Sequence, residues 1–216
     1  MKRLPVFFLL SLFIGCSFTE KVYEVSSLDL DEIQAEKITL SAALVFSEDL
    51  KDHIQDAYPA ITSTQKYELQ VGKCLCYYLT KAVKVAYQEV TRAEEEPMPG
   101  KFDRIIKFHL KGSRYIIPPS PEATPSDKQI VSTPRRVTYI LSVKMEAYEG
   151  KNGQLLAKTV LDGNSIFTRG GGETAEFEKL KQAIRTAVQQ VSYNAASRLI
   201  SGFAESEKHL SKPFCR

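Results

Sequence analysis

Residues 136–148 constrain this chain most. Val137, Tyr139, Leu141, Val143, Met145 and Ala147 recur at every second position, with Thr138, Ser142, Lys144 and Glu146 between them. That period of two places one set of side chains on each face of a strand, so one face must be covered and the other meets water. Asn152-Gly153 follows as a hairpin signal of type I′, in which both central residues take positive φ, and it joins this strand to another at about 154–167. The cover comes from the C-terminal segment. Phe177, Leu180, Ile184, Val188, Val191, Ala195, Leu199 and Phe203 recur at helical spacing, with Lys179, Gln182, Arg185 and Gln189 away from the stripe. Some 30 residues at 1.5 Å each would reach about 45 Å, which predicts a break near Ser192–Asn194 or a projecting end.

The remaining segments fit the same plan. In residues 38–46, Ile38, Leu40, Ala42, Leu44 and Phe46 share one face of a half-buried strand. Ser47 can cap a short helix with Leu50 and Ile54 inward, and Tyr67–Val71 reads as a short extended piece. Residues 73–90 read as an amphipathic helix on Leu75, Leu79, Ala82, Val83, Ala86 and Val90, with Lys81, Lys84 and Gln88 opposite. A charged turn, Glu94-Glu95-Glu96-Pro97, leads to a strand over 102–116. There Phe102, Ile106, Phe108, Leu110 and Ile116 point one way, and Lys107, His109 and Lys111 the other. Residues 117–135 carry five prolines and read as a long irregular loop. The expected fold is therefore α+β: a two-layer sandwich, with a mainly antiparallel sheet of four to five strands covered on one face by two amphipathic helices.

The N-terminus sets the compartment. Lys2 and Arg3 precede an 11-residue apolar run, Leu4 to Ile14, which is the pattern of a secretory signal and too short for a bilayer span. Phe13-Ile14-Gly15-Cys16 at its end resembles the lipobox of bacterial lipoproteins, with Phe13 where Leu is usual. The resemblance implies that Cys16 becomes the acylated N-terminus, anchored by its acyl chains, and Ser17 after it leans towards the outer membrane. The alternative is an ordinary signal with a chance cysteine. The organisation expected is then a signal peptide over 1–15, a lipidated tether over 16–36, the α+β domain over 37–206 and a tail over 207–216. Without Lys2 and Arg3 the net charge falls from +3 to +1, which provides no broad field for nucleic acid.

Lipobox, tether and this order of strands and helices are similar to small periplasmic α/β lipoproteins, among them the lipopolysaccharide-assembly lipoprotein of the outer-membrane translocon. Val71-Gly72-Lys73 followed by Tyr87-Gln88-Glu89-Val90 resembles the YajG-like group. The resemblance implies a non-enzymatic role in envelope assembly or transport.

No catalytic constellation appears. His53, His109 and His209 lie far apart and make no metal motif, so no metal or cofactor is expected. Ser63-Thr64-Gln65-Lys66 has Ser-x-x-Lys spacing without its companion motifs, and Arg169-Gly170-Gly171-Gly172 precedes a helix without the lysine of a phosphate loop. Cys74 and Cys76 stand about 200° apart on a helix and are poorly placed to join each other. Cys215 could reach back to Cys74, the more exposed of the two, as the candidate disulfide; three free thiols are the alternative. Ile116, Ile117, Ile130 and Val131 are the apolar residues that would anchor a docking loop. The first expectation is a lipoprotein on the periplasmic face of the outer membrane that binds an envelope protein. The alternative is a carrier or sensor of a small apolar ligand, which requires a large cavity beneath the helices.

Overall fold

The 14-residue strands β6 (Arg136–Glu149) and β7 (Leu155–Thr168) form a long hairpin in a computed structural model. The structure describes residues 36–57, 67–116, 136–169 and 173–210, with side chains of the last helix placed from 175 to 201. Preceding the hairpin are β1 (Ile38–Phe46), α1 (Glu48–Lys51), β2 (Gln55–Ala57), β3 (Tyr67–Leu69), α2 (Val71–Ala86), β4 (Tyr87–Ala93) and β5 (Arg104–Ile116). Helix α3 (Glu173–Leu210) closes the order. Five strands make one sheet in the order β4-β1-β5-β6-β7, and β2 pairs with β3. Helices α2 and α3 lie together on one face, α3 against β6 and β7. The fold is the α+β two-layer arrangement that the alternation demanded.

The sheet is mixed. β5-β6 and β6-β7 are antiparallel, but β1 runs parallel to both β4 and β5. Strand β4 was unforeseen, because the helical pattern of α2 continues in the sequence to Val90. The helix stops at Ala86, where Tyr87 turns extended (φ −115°, ψ 145°), and Val90 pairs with Ala42 instead. The parallel β4 and β5 are joined by residues 94–103, fewer than such a crossover usually needs. The register explains it: β4 ends opposite Val45 and β5 begins opposite Ala42. The connection passes over the face away from the helices. Ser41 donates from its amide and its hydroxyl to Asp103 Oδ2 at 2.8 and 2.7 Å, and Lys107 Nζ reaches Glu96 at 2.6 Å. Ala43 and Ile105, which point to that face, are consequently buried.

Three details depart from the expected pattern. Leu110 pairs with Val143, but Gly112 pairs with Ser142, so a bulge at Lys111 shifts the phase of β5. Gly112 (φ +151°) takes a backbone conformation suited to glycine. Beyond it Ser113 and Tyr115 face the helices, and Ile116 turns to the open face, not to the side of Ile106 and Phe108. The hairpin forms, but not as type I′. Among the described residues no non-glycine has positive φ, so only Gly153 (φ +70°) does in this turn, while Asn152 Oδ1 accepts from the Gln154 amide at 2.8 Å. The turn is widened because Gly150 rests on the crossover, donating to the Asp103 carbonyl at 2.9 Å. Of the two outcomes expected for the C-terminal helix, the break does not occur: α3 runs unbroken for 38 residues, about 57 Å. Ser192 is accommodated by donating its hydroxyl to the Val188 carbonyl at 2.9 Å. Leu50 is buried as expected, whereas Ile54 lies outside α1 and is exposed.

Candidate functional site

The residues singled out from the sequence divide sharply. Cys16, Ile117, Ile130, Val131 and Cys215, the Ser63–Lys66 segment, Gly170–Gly172 and the side chain of His209 lie outside the described residues. Ile116 is described, 44% exposed at the end of β5. Cys76 is buried and Cys74 half-buried, and they do not bond each other. Arg169 is held by Glu176 at 3.3 Å.

The face of the sheet away from the helices is covered by the 94–103 connection over β1 and stays open over β6 and β7. Its centre is Glu146 on β6, only 8% exposed. The period-two pattern puts Glu146 there, and the register brings His109 of β5 and Lys158 of β7 beside it. Lys144 Nζ lies 3.2 Å away, Lys158 Nζ 3.5 Å and His109 Nε2 3.4 Å, and Tyr148 donates its hydroxyl at 3.2 Å. Burial alone would raise the Glu146 carboxyl, but the hydrogen bonds from Lys144 and Tyr148 and the nearby positive charge outweigh it and hold the pKa below the ordinary value. Burial, then the Lys144 charge, lowers His109. The cluster is thus an ionised carboxylate caged by cations, with its capacity for further partners largely used.

Apolar side chains flank that cluster. Val160 and Ile166 of β7 are 51% and 59% exposed. Thr138 stands opposite both Ile116 and Ile166, so these two isoleucines share one end of the open face. Sequence reasoning singled out Ile116 and missed Val160 and Ile166, although their even numbering in β7 was the available signal.

A Ser–His contact lies at the end of β5. His53 Nε2 lies 2.9 Å from Ser113 Oγ, and Ser113 donates to Gln55 Oε1 at 2.7 Å. The Gln55 amide is oriented by its Nε2 donating to the Asp56 carbonyl at 3.1 Å. A hydroxyl has one proton. It goes to Gln55, so His53 must be the donor to Ser113. That is the reverse of what a base requires to activate a serine. The triad instead ties β2 to the sheet, and burial lowers the His53 pKa, keeping the ring neutral.

No family model and no curated protein matches the sequence. Among solved structures, a homolog of neuraminyllactose-binding hemagglutinin from Helicobacter pylori matches with TM-score 0.52 and 11% identity, over 83% of this chain and 94% of that one. A protein from Xanthomonas campestris matches at 0.49 and 10%, over 79% and 90%. A minor lipoprotein from Acinetobacter baumannii matches at 0.42 and 9%, over 78% and 96%. At these identities the Helicobacter pylori likeness establishes the fold, a sheet with helices on one face, and transfers no residue role.

Proposed function

We propose that this chain is a lipoprotein of the bacterial envelope, held by acyl chains on Cys16 at the periplasmic face of the outer membrane, and that it binds a protein partner in envelope assembly or transport without catalysing a reaction. The observation that carries the binding reading is the contrast between the two faces of the sheet. Between helices and sheet, Leu75, Tyr78, Leu79, Phe108, Tyr139 and Leu141 are each at most 1% exposed. An apolar ligand would have to displace these side chains from a close-packed layer. On the open face Val160, Ile166 and Ile116 meet solvent, the kind of apolar exposure a partner covers. The first contrast disfavours the carrier and the second favours the binding protein.

Two measurements test the reading separately. Metabolic labelling with palmitate should mark the wild-type chain and not Cys16→Ala; equal labelling of both overturns the anchor. A photo-crosslinking residue at Ile166 should yield one stoichiometric protein adduct in the native envelope. The same residue at Gln182, outside the open face, should not. Equal adducts at both positions, or lipid alone at Ile166, overturn the binding surface.

A further inference from the structure

A groove of about 690 Å³ lies where α1, α2 and β4 meet. Lys73, Tyr77, Lys81 and Lys84 supply one wall from successive turns of α2, spread over about 16 Å of helix rise. Lys51 and Arg92 supply the other, with Asp52 the sole acidic lining residue among those described. The walls differ in how their charge is used. Lys51 is paired with Glu48 at 2.6 Å and Glu94 at 3.7 Å, and Arg92 with Glu94 at 3.5 Å. Lys73, Lys81 and Lys84 have no carboxylate within ion-pair distance among the described residues. Tyr77 stands between them, 56% exposed, set edge-on against buried Tyr78 with centroids 5.2 Å apart. Lys81 Nζ sits 4.9 Å above its ring.

We propose that this groove binds the phosphate headgroups of acidic lipids at a membrane surface. Three lysines along one edge, unpaired among the described residues, carry charge that the chain as a whole lacks, since its net charge beyond the signal is only +1. They do not converge on one point, as donors for a single free phosphate would. They form a row, which suits several headgroups side by side, and each such lysine near an acidic surface strengthens attachment about fivefold. A half-exposed tyrosine in that row, apolar ring and polar tip together, belongs at the boundary between headgroups and acyl chains. The proposal shares the membrane setting of the reading above but does not depend on acylation.

The test uses the mature chain from residue 16 carrying Cys16→Ala, so that no acyl chain contributes. Co-sedimentation is measured with phosphatidylcholine vesicles with and without phosphatidylglycerol. Binding should require phosphatidylglycerol and weaken with salt. Combining Lys73→Gln, Lys81→Gln and Lys84→Gln should reduce the partition coefficient about a hundredfold. Combining Lys37→Gln, Lys111→Gln and Lys151→Gln removes the same charge elsewhere and should leave most binding intact. Unchanged melting of the first triple variant would show that folding is preserved, and Tyr77→Ala offers a single-site check that should also weaken binding. Equal loss in both triple variants, no preference for phosphatidylglycerol, or amide shifts at the groove with inorganic phosphate alone would each overturn the proposal. Palmitate labelling judges the anchor independently.

Discussion

The backbone of Gly163 on β7 lies against the Ala187 carbonyl of α3, so near that a Cβ at residue 163 would stand 2.0 Å from that oxygen and 2.9 Å from Val191 Cγ2. This contact sets how closely the long helix can approach the sheet. Gly163→Ala should therefore push α3 off β7 and destabilise the protein by about 3 kcal/mol, lowering its melting temperature by roughly 6–12 °C. A thermal melt decides it. Gly153→Ala is the comparison, because its Cβ would meet nothing within 4 Å and only its φ of +70° is strained; about 1 kcal/mol is expected there. Equal melting of Gly163→Ala and wild type would mean that the helix does not bear on the sheet at this point.

Stability should fall with acid in two stages. His53 and His109 are both shifted below the ordinary 6.5, burial being the main cause for each. The folded state thus prefers the neutral rings. Their contribution is complete above about pH 6.5 and is lost as pH drops below it. Asp103, lowered chiefly by the Ser41 hydroxyl, and Glu146 are shifted below 3.8 and 4.5, so their contribution survives that first stage and disappears at lower pH. Denaturant midpoints across this range measure the curve. His53→Gln should flatten the first stage, and an unchanged first stage in that variant would assign it elsewhere.

How far the sequence revealed this design depends on whether a signal was local. The burial of Val137, Tyr139, Leu141, Val143, Met145 and Ala147 was legible because period two in β6 survives intact into the fold. Ile116 was misplaced because the phase shift lies at Gly112, and whether a lone glycine in a strand marks a bulge depends on its partner strand. Strand β4 was hidden because Val90 fits the helical stripe of α2 by number. In the fold the chain turns extended at Tyr87 and pairs with β1, a contact between segments distant in sequence. The groove was half visible: Lys81 and Lys84 read as a solvated helix face, but Lys51 and Arg92 arrive opposite them only through packing.

Ser113 connects three segments, so its loss should be felt locally before it is felt globally. Ser113→Ala leaves His53 Nε2 and Gln55 Oε1 without their shared partner, at about 1–2 kcal/mol. Amide exchange at Gln55–Ala57 should accelerate by roughly one order of magnitude, while exchange in the Leu141–Met145 core stays near wild type. Uniform acceleration in both regions would show that the triad supports the whole sheet and not merely β2.

Cys74 and Cys76 should be slow nucleophiles despite their position on α2. Burial pushes both thiols from 9.0 up to about 11. At pH 8 the thiolate fraction falls from about one in ten to about one in a thousand, so alkylation should run about a hundredfold slower than for a free thiol. Cys76, in the wall of the basic groove, receives some relief from the Arg92 and Lys51 charges, but too little to offset its burial. Denaturation without reductant then separates the two cysteine states. If Cys74 is bridged to Cys215, only Cys76 will label in the unfolded mature chain carrying Cys16→Ala, and reduction will expose two more thiols. If all three label without reductant, the bridge is absent and the slow alkylation of the folded protein is due to burial alone.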